Sequence, residues 1–188
     1  MLLVAIAAVI LAGEPVQFDA SHQPQFTTNQ IQNTSFATRN GLAKWAATPH
    51  GRHLIDYFAA HDCDIEVIED TSENAMGRAP EPGIATLVSK RKRFVMVLNP
   101  AFYKLPKDMA PLPGQLANAS DAMAVAWAGE MLHIYFYARG ISLPHHPRPD
   151  FQDQWVAIAG ELGMTGVRHD DGDEFARSVT VRYIGRGR

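Results

Sequence analysis

The sequence predicts an α+β fold: a small, mostly antiparallel sheet packed on a long central helix and followed by a second amphipathic helix. Three observations carry that reading. Apolar and charged residues alternate over Asp64–Glu69 (DIEVIE), as on a half-buried strand. Two apolar runs, Ile84–Val88 and Phe94–Leu98, flank a basic Ser89–Arg93. A long helical pattern then runs from Asp121 to Arg139. Strands grouped ahead of helices, rather than alternating with them, mark the α+β class.

Residues 1–12 are almost wholly apolar (MLLVAIAAVILA). As a helix the eleven residues Leu2–Ala12 would rise about 16 Å, against a hydrocarbon core of roughly 30 Å, which is short for a free-standing span. It suits the apolar core of an export signal, with Ala12-Gly13 as small residues for cleavage, although no Lys or Arg precedes it. Signal, short membrane anchor and buried element are the three readings. They correspond to an exported or periplasmic, a membrane-associated and a cytoplasmic protein. Residues 13–40, rich in Gln, Asn, Thr and Ser, read as an extended connector with one strand around Phe36.

A single domain is expected over 41–188. Thr48 and Pro49 are an N-cap and first-turn pair. After them HGRHLIDYFAAH sets Leu54, Ile55, Phe58 and Ala59 on one helical face. Asp70–Gly83 contains GRAPEPG, whose prolines and glycines predict irregular chain. Ile84–Val88 and Phe94–Leu98 read as an antiparallel hairpin with the basic residues in its turn. Asn99-Pro100 stops the second strand, and the proline-rich 105–120 is a surface loop. Ser120 or Asp121 caps the central helix, and Gly140 closes it. A second proline-rich loop, SLPHHPRP, leads to a helix opened by Pro149 and Asp150. Phe151, Trp155, Ile158 and Leu162 face inward on it, and Gly163 ends it. The polar tail holds one strand, at Ser178–Ile184.

Composition narrows the function. With 46% apolar and 20% charged residues in 188, the chain can bury a core. A net charge of −3 gives no basic field for nucleic acid or anionic lipid. Any membrane association would rest on residues 1–12. Cys63 is the only cysteine, which excludes an internal disulfide and a thiolate zinc ribbon. It reads as a small, semi-buried residue. No Walker, GxGxxG or GxSxG motif is present. His50 and His53, at i and i+3, suit an exposed helix face better than a metal. The acidic HDDGDEF lacks the order of a calcium loop.

Within the central helix, residues 126–133 read AWAGEMLH. In a zinc peptidase's HExxH, two histidines at i and i+4 hold one ion from a single helical face, and the glutamate activates a metal-bound water. A third protein ligand comes from further along the chain. Here Glu130 and His133 occupy the second and fifth positions, and Gly129 stands where the first histidine would be. His145 or His146, in the following loop, could supply the third ligand. The layout resembles the SprT-like zincin peptidases and zincin-type secreted effectors. It matches them in a strand ending in FVMVLNP, a capped helix, a histidine loop, a turn ending in a phenylalanine and an amphipathic helix. That resemblance covers roughly Thr48 to Gly163 and is one of order and spacing. It implies a zincin-like fold, with zinc on His133 and His146 or His145 if the site is retained. Ala122, Ala126 and Gly129 also make a small-residue stripe suited to close packing.

Two functions follow. A degenerate, non-catalytic zincin-like protein would bind a protein partner or serve as an accessory subunit of a larger assembly. Phe102, Tyr103, Met109 and Leu112 in its proline-rich loop would then offer contacts. A zinc-dependent peptidase with non-standard ligands would instead use Glu130 as general base and His133 with His145 or His146 on the metal. The missing helical ligand favours the first.

Overall fold

The helix at the centre of the molecule has almost no polar face. A computed structural model of the chain describes residues 15–73, 77–101, 119–143 and 149–163. Its longest helix, Ala119–Ala138, is buried at every position from Ala122 to Leu132. A helix apolar all round must be surrounded, and the other elements are arranged about this one.

In chain order they are β1 (Gln17–Phe18), β2 (Pro24–Gln25), α1 (Thr28–Asn33), α2 (Phe36–Ala46), α3 (Pro49–Ala60), β3 (Cys63–Glu69), β4 (Gly77–Arg78), α4 (Ile84–Val88), β5 (Lys92–Leu98), the central α5 (Ala119–Ala138) and α6 (Pro149–Glu161). The α+β class is as predicted. β1 and β2 form a small antiparallel hairpin, while the main sheet has the order β3-β5-β4. Two of the three pairings are antiparallel, but the longest, β3 with β5, is parallel and runs from Cys63↔Lys92 to Glu69↔Leu98. Its core face carries Ile65 and Val67 beside Phe94, Met96 and Leu98, packed in one cluster with residues of α2, α3, α5 and α6.

The expected hairpin of Ile84–Val88 with Phe94–Leu98 does not form. Ile84–Val88 is a short helix capped by Gly83, and its place beside β5 is taken by β3 and β4. A five-residue apolar run has too few turns for periodicity to separate strand from helix. GRAPEPG is not wholly irregular either, since Gly77 and Arg78 pair with Leu98 and Val97. The connector also departs from the extended reading. Thr27 and Gln30 cap α1 reciprocally, and Ser35 caps α2, which replaces the strand expected around Phe36. Ser35 is held in turn by Glu69, whose carboxylate accepts from its backbone N–H at 2.8 Å and its hydroxyl at 2.9 Å.

The helices α3 and α6 follow the sequence closely. Thr48 Oγ1 accepts from Gly51 N at 3.0 Å, with Pro49 opening α3. Leu54, Ile55 and Phe58 are buried, whereas Ala59 is exposed. Phe151, Trp155 and Ile158 of α6 are buried, and Gly163 adopts a φ of +77° past its end. Gly140, at φ +72°, terminates α5 while the Ile141 N–H reaches back to Phe136 O at 3.0 Å. Because α5 begins at Ala119, Ser120 and Asp121 lie inside its first turn and not at the cap.

Tight packing of α5 is against α2. A methyl group at Gly41 would stand 2.6 Å from Met123 Cβ and 2.8 Å from Ala124 N. The two backbones therefore meet at Met123 and Ala124. Trp127 Nε1 donates to Thr38 O at 2.9 Å across the same seam. Trp45, Trp127 and Trp155 are fully buried. Each removes roughly 150–250 Å² from water, worth on the order of 4–6 kcal/mol before entropy is counted.

Candidate functional site

Glu130 is the only ionisable residue in the buried run from Ala122 to Leu132, and β4 explains where its side chain goes. The carboxyl, in a residue only 8% exposed, lies beneath that strand and accepts a hydrogen bond from the Ala79 N–H. Gly77 makes room for it, since a Cβ there would be 2.8 Å from Glu130 Cγ and 3.0 Å from Oε1. Loss of water raises the carboxyl pKa to about 8, more than the Ala79 bond and the nearby Arg78 charge lower it. Glu73 pushes in the same direction as burial. At neutral pH the group is mainly a neutral acid.

The strand over Glu130 is itself anchored. Arg78 Nε is 2.9 Å from Glu73 Oε2. Asn99, 2% exposed, donates from Nδ2 to Glu73 O at 2.6 Å, and its Oδ1 accepts from Ala101 N at 2.9 Å. Asn99-Pro100 thus does more than stop β5: the asparagine ties the returning 70–73 segment to the sheet. Gly77, Ala79 and Asn99 were not legible as parts of this site. The sequence offers Gly77-Arg78-Ala79-Pro80 only as a turn that could present an arginine at a cleft edge, and Asn99-Pro100 only as the stop of a strand.

His133, one turn further along α5, faces a different neighbour. Its ring lies 4.9 Å from that of Phe151 and 6.1 Å from that of Tyr137. Some of the side chain is accessible, but Nδ1 is inaccessible, and burial lowers the imidazole pKa to about 4. His133 therefore packs as a neutral aromatic ring between α5 and α6. His145 and His146, the other expected metal ligands, lie outside the described residues, as do Phe102, Tyr103, Met109, Leu112, the acidic HDDGDEF, Ser178–Ile184 and residues 1–12.

The donor set can be compared with what zinc requires. A catalytic site uses three protein ligands and one open position. The described residues offer His133 against Phe151, and Glu130 turned to the Ala79 amide. No group of three His, Cys, Asp or Glu side chains among the described residues is arranged to hold a metal ion. These donors alone do not fit a catalytic zinc.

The other singled-out residues serve local packing. His53 is exposed, and its ring centroid is 6.3 Å from that of half-buried His50. The His50 backbone N–H donates to Glu161 Oε2 at 2.9 Å, and burial lowers its imidazole pKa. Cys63 is half-buried as expected, its thiol pushed up to about 11 chiefly by burial, which leaves it poorly nucleophilic. No helix among the described residues is long and apolar enough to cross a membrane. Comparison with family models, curated proteins and solved structures finds no match for the chain.

Proposed function

We propose that the chain is a degenerate zincin-like protein that does not hydrolyse peptides and acts as a protein-binding or accessory subunit. The observation that supports this most is the cover on Glu130. A general base must reach the water it activates, and this carboxyl is instead held to the Ala79 amide beneath Gly77. Gly129, at the place of the first HExxH histidine, points the same way. For the binding role, Phe36 is 72% exposed and Ile31 51%, both at the α1–α2 junction. Large apolar side chains left in water there are of the kind that contact surfaces use.

The second reading, a zinc peptidase with Glu130 as base and His133 with His145 or His146 on the metal, draws support from one observation. A carboxyl held near pH 8 by burial has the proton affinity that acid–base enzymes use. Glu130→Gln separates the two. With zinc supplied, the non-catalytic reading expects equal, background peptide cleavage by wild type and Glu130→Gln, and no stoichiometric zinc that His133→Ala removes. Cleavage lost in Glu130→Gln, with zinc still bound, would establish the peptidase instead.

A further inference from the structure

The main sheet has one long edge. β5 lies between β3 and β4, and no strand stands on the other side of β3 among the described residues. The β1–β2 hairpin comes near the start of β3 but forms a sheet of its own. A seven-residue edge strand holds out a row of backbone N–H and C=O groups that a further strand can satisfy.

β3 sets conditions on what can join it. Its side chains alternate between two faces. Cys63, Ile65 and Val67 pack toward the core, so Asp64, Glu66 and Ile68 point the other way. A joining strand must therefore be apolar on one face and mixed on the other. Charge narrows the choice further. Arg91 holds Asp64, Arg93 Nη2 lies 3.0 Å from Glu66 Oε2, and Glu69 accepts from Ser35. With three carboxylates and two guanidiniums, the edge keeps a net negative charge. β3 of a second copy would set carboxylates against carboxylates, which repel across strands. A strand with one cation and no carboxylate fits instead. Glu66 can receive it beside Arg93, because a carboxylate accepts at both oxygens.

The sequence holds a segment of that kind. Ser178–Ile184 (SVTVRYI) alternates as a half-buried strand does, and Arg182 is its only charged residue. Laid parallel to β3 with Arg182 beside Glu66, it sets Val179 by Cys63, Val181 by Ile65, Tyr183 by Val67 and Ile184 by Ile68. Reversed about the same pair, it sets Ile184 against Asp64 and Thr180 against Ile68, a poorer match. Residues 164–177, between the end of α6 and this segment, can span up to about 45 Å when extended. That is enough to cross a domain of this length, whose radius of gyration is about 16 Å.

We propose that residues 178–184 of the same chain dock as a fourth strand on the outer edge of β3, parallel to it and with Arg182 beside Glu66. The inference is independent of the zincin-like reading. It is tested by nuclear Overhauser contacts in the isotopically labelled full chain. Backbone contacts between 63–69 and 178–184 are expected in the parallel register, with Val181 beside Ile65 and Tyr183 beside Val67. No contact, or an antiparallel pattern, would overturn the proposal. Contacts seen only between labelled and unlabelled molecules would do the same, because the strand would then come from a second copy. Arg182→Glu sets a carboxylate beside Glu66. It should speed amide exchange along β3 by roughly fivefold, the scale of one cross-strand charge pair, and leave α5 unchanged. Arg182→Lys should keep the wild-type rates. Exchange in β3 indifferent to Arg182→Glu also counts against the docking. The contact measurement on the wild-type chain stands whatever the variants do.

Discussion

A proton on Glu130 at neutral pH has a measurable signature. The folded carboxyl holds its proton until about pH 8, against 4.5 for an ordinary glutamate. Its contribution is complete below pH 4.5 and is lost as pH rises through 8, because the unfolded chain releases the proton first. Each tenfold change in proton affinity is worth about 1.4 kcal/mol, so the full loss is bounded at several kcal/mol. His133 has the opposite sign. Its folded pKa near 4, against 6.5, costs stability as pH falls from 6.5 through 4. Between about pH 4.5 and 6.5 the two trends oppose each other, and above 6.5 only the Glu130 loss remains. Urea unfolding from pH 4 to 9 should therefore show stability falling toward pH 8. In Glu130→Gln, whose amide cannot ionise, that alkaline decline should shrink or vanish. A decline unchanged by the substitution would mean that Glu130 titrates in water. The sequence placed Glu130 and His133 on a helix at motif spacing, but gave no sign that one meets a strand amide and the other a phenylalanine ring. Those neighbours come from residues 51 or more positions away for Glu130, beyond any local pattern.

Pairs of elements meet at glycines, and these are the positions to test. Gly77→Ala drives a methyl into Glu130 and to 3.1 Å from Leu98 Cδ2. A loss of about 1–3 kcal/mol is expected, as for overpacking elsewhere. Glu130→Ala should relieve part of it, so a double-mutant cycle should show coupling above about 0.5 kcal/mol. Additive effects would mean that β4 does not sit on Glu130. Gly41→Ala presses on the α5 backbone at Ala124 N, which cannot swing aside like a side chain. It should cost at least as much as Gly77→Ala in the same unfolding assay. Thr48→Ala removes one cap and should cost about 1 kcal/mol. Elements with their own punctuation were legible: the Thr48-Pro49 start, the Gly140 and Gly163 ends, the alternation of β3. The Thr27–Gln30 capping box was equally present, yet polar composition around it obscured a helix with no buried face. Ile84–Val88 failed for the opposite reason, being apolar but for Thr86 and too short to show a period.

Across the whole molecule, protection should grade outward from the central helix. Amides of α5 and β5 are expected to exchange with solvent only on global unfolding, and those of the β1–β2 hairpin through local opening. Hydrogen exchange read by mass spectrometry checks the order, and a hairpin as protected as α5 would contradict it. The α+β class and the buried core were predictable because they depend on the amount and grouping of apolar residues. Strand partners were not, since alternation assigns faces without naming a neighbour or a direction. The parallel pairing of β3 with β5 has a consequence in time. No hairpin turn can start it: the 70–91 segment must first fold back with its ends unrewarded, and only then do Cys63–Glu69 and Lys92–Leu98 meet. Such closure slows folding relative to local helix formation. Newly made chain would therefore carry α2 and α3 as early structure while β3, with its one apolar face, waits for residues still to be synthesised. In that interval β3 would be the part of the protein most exposed to mispairing with another copy.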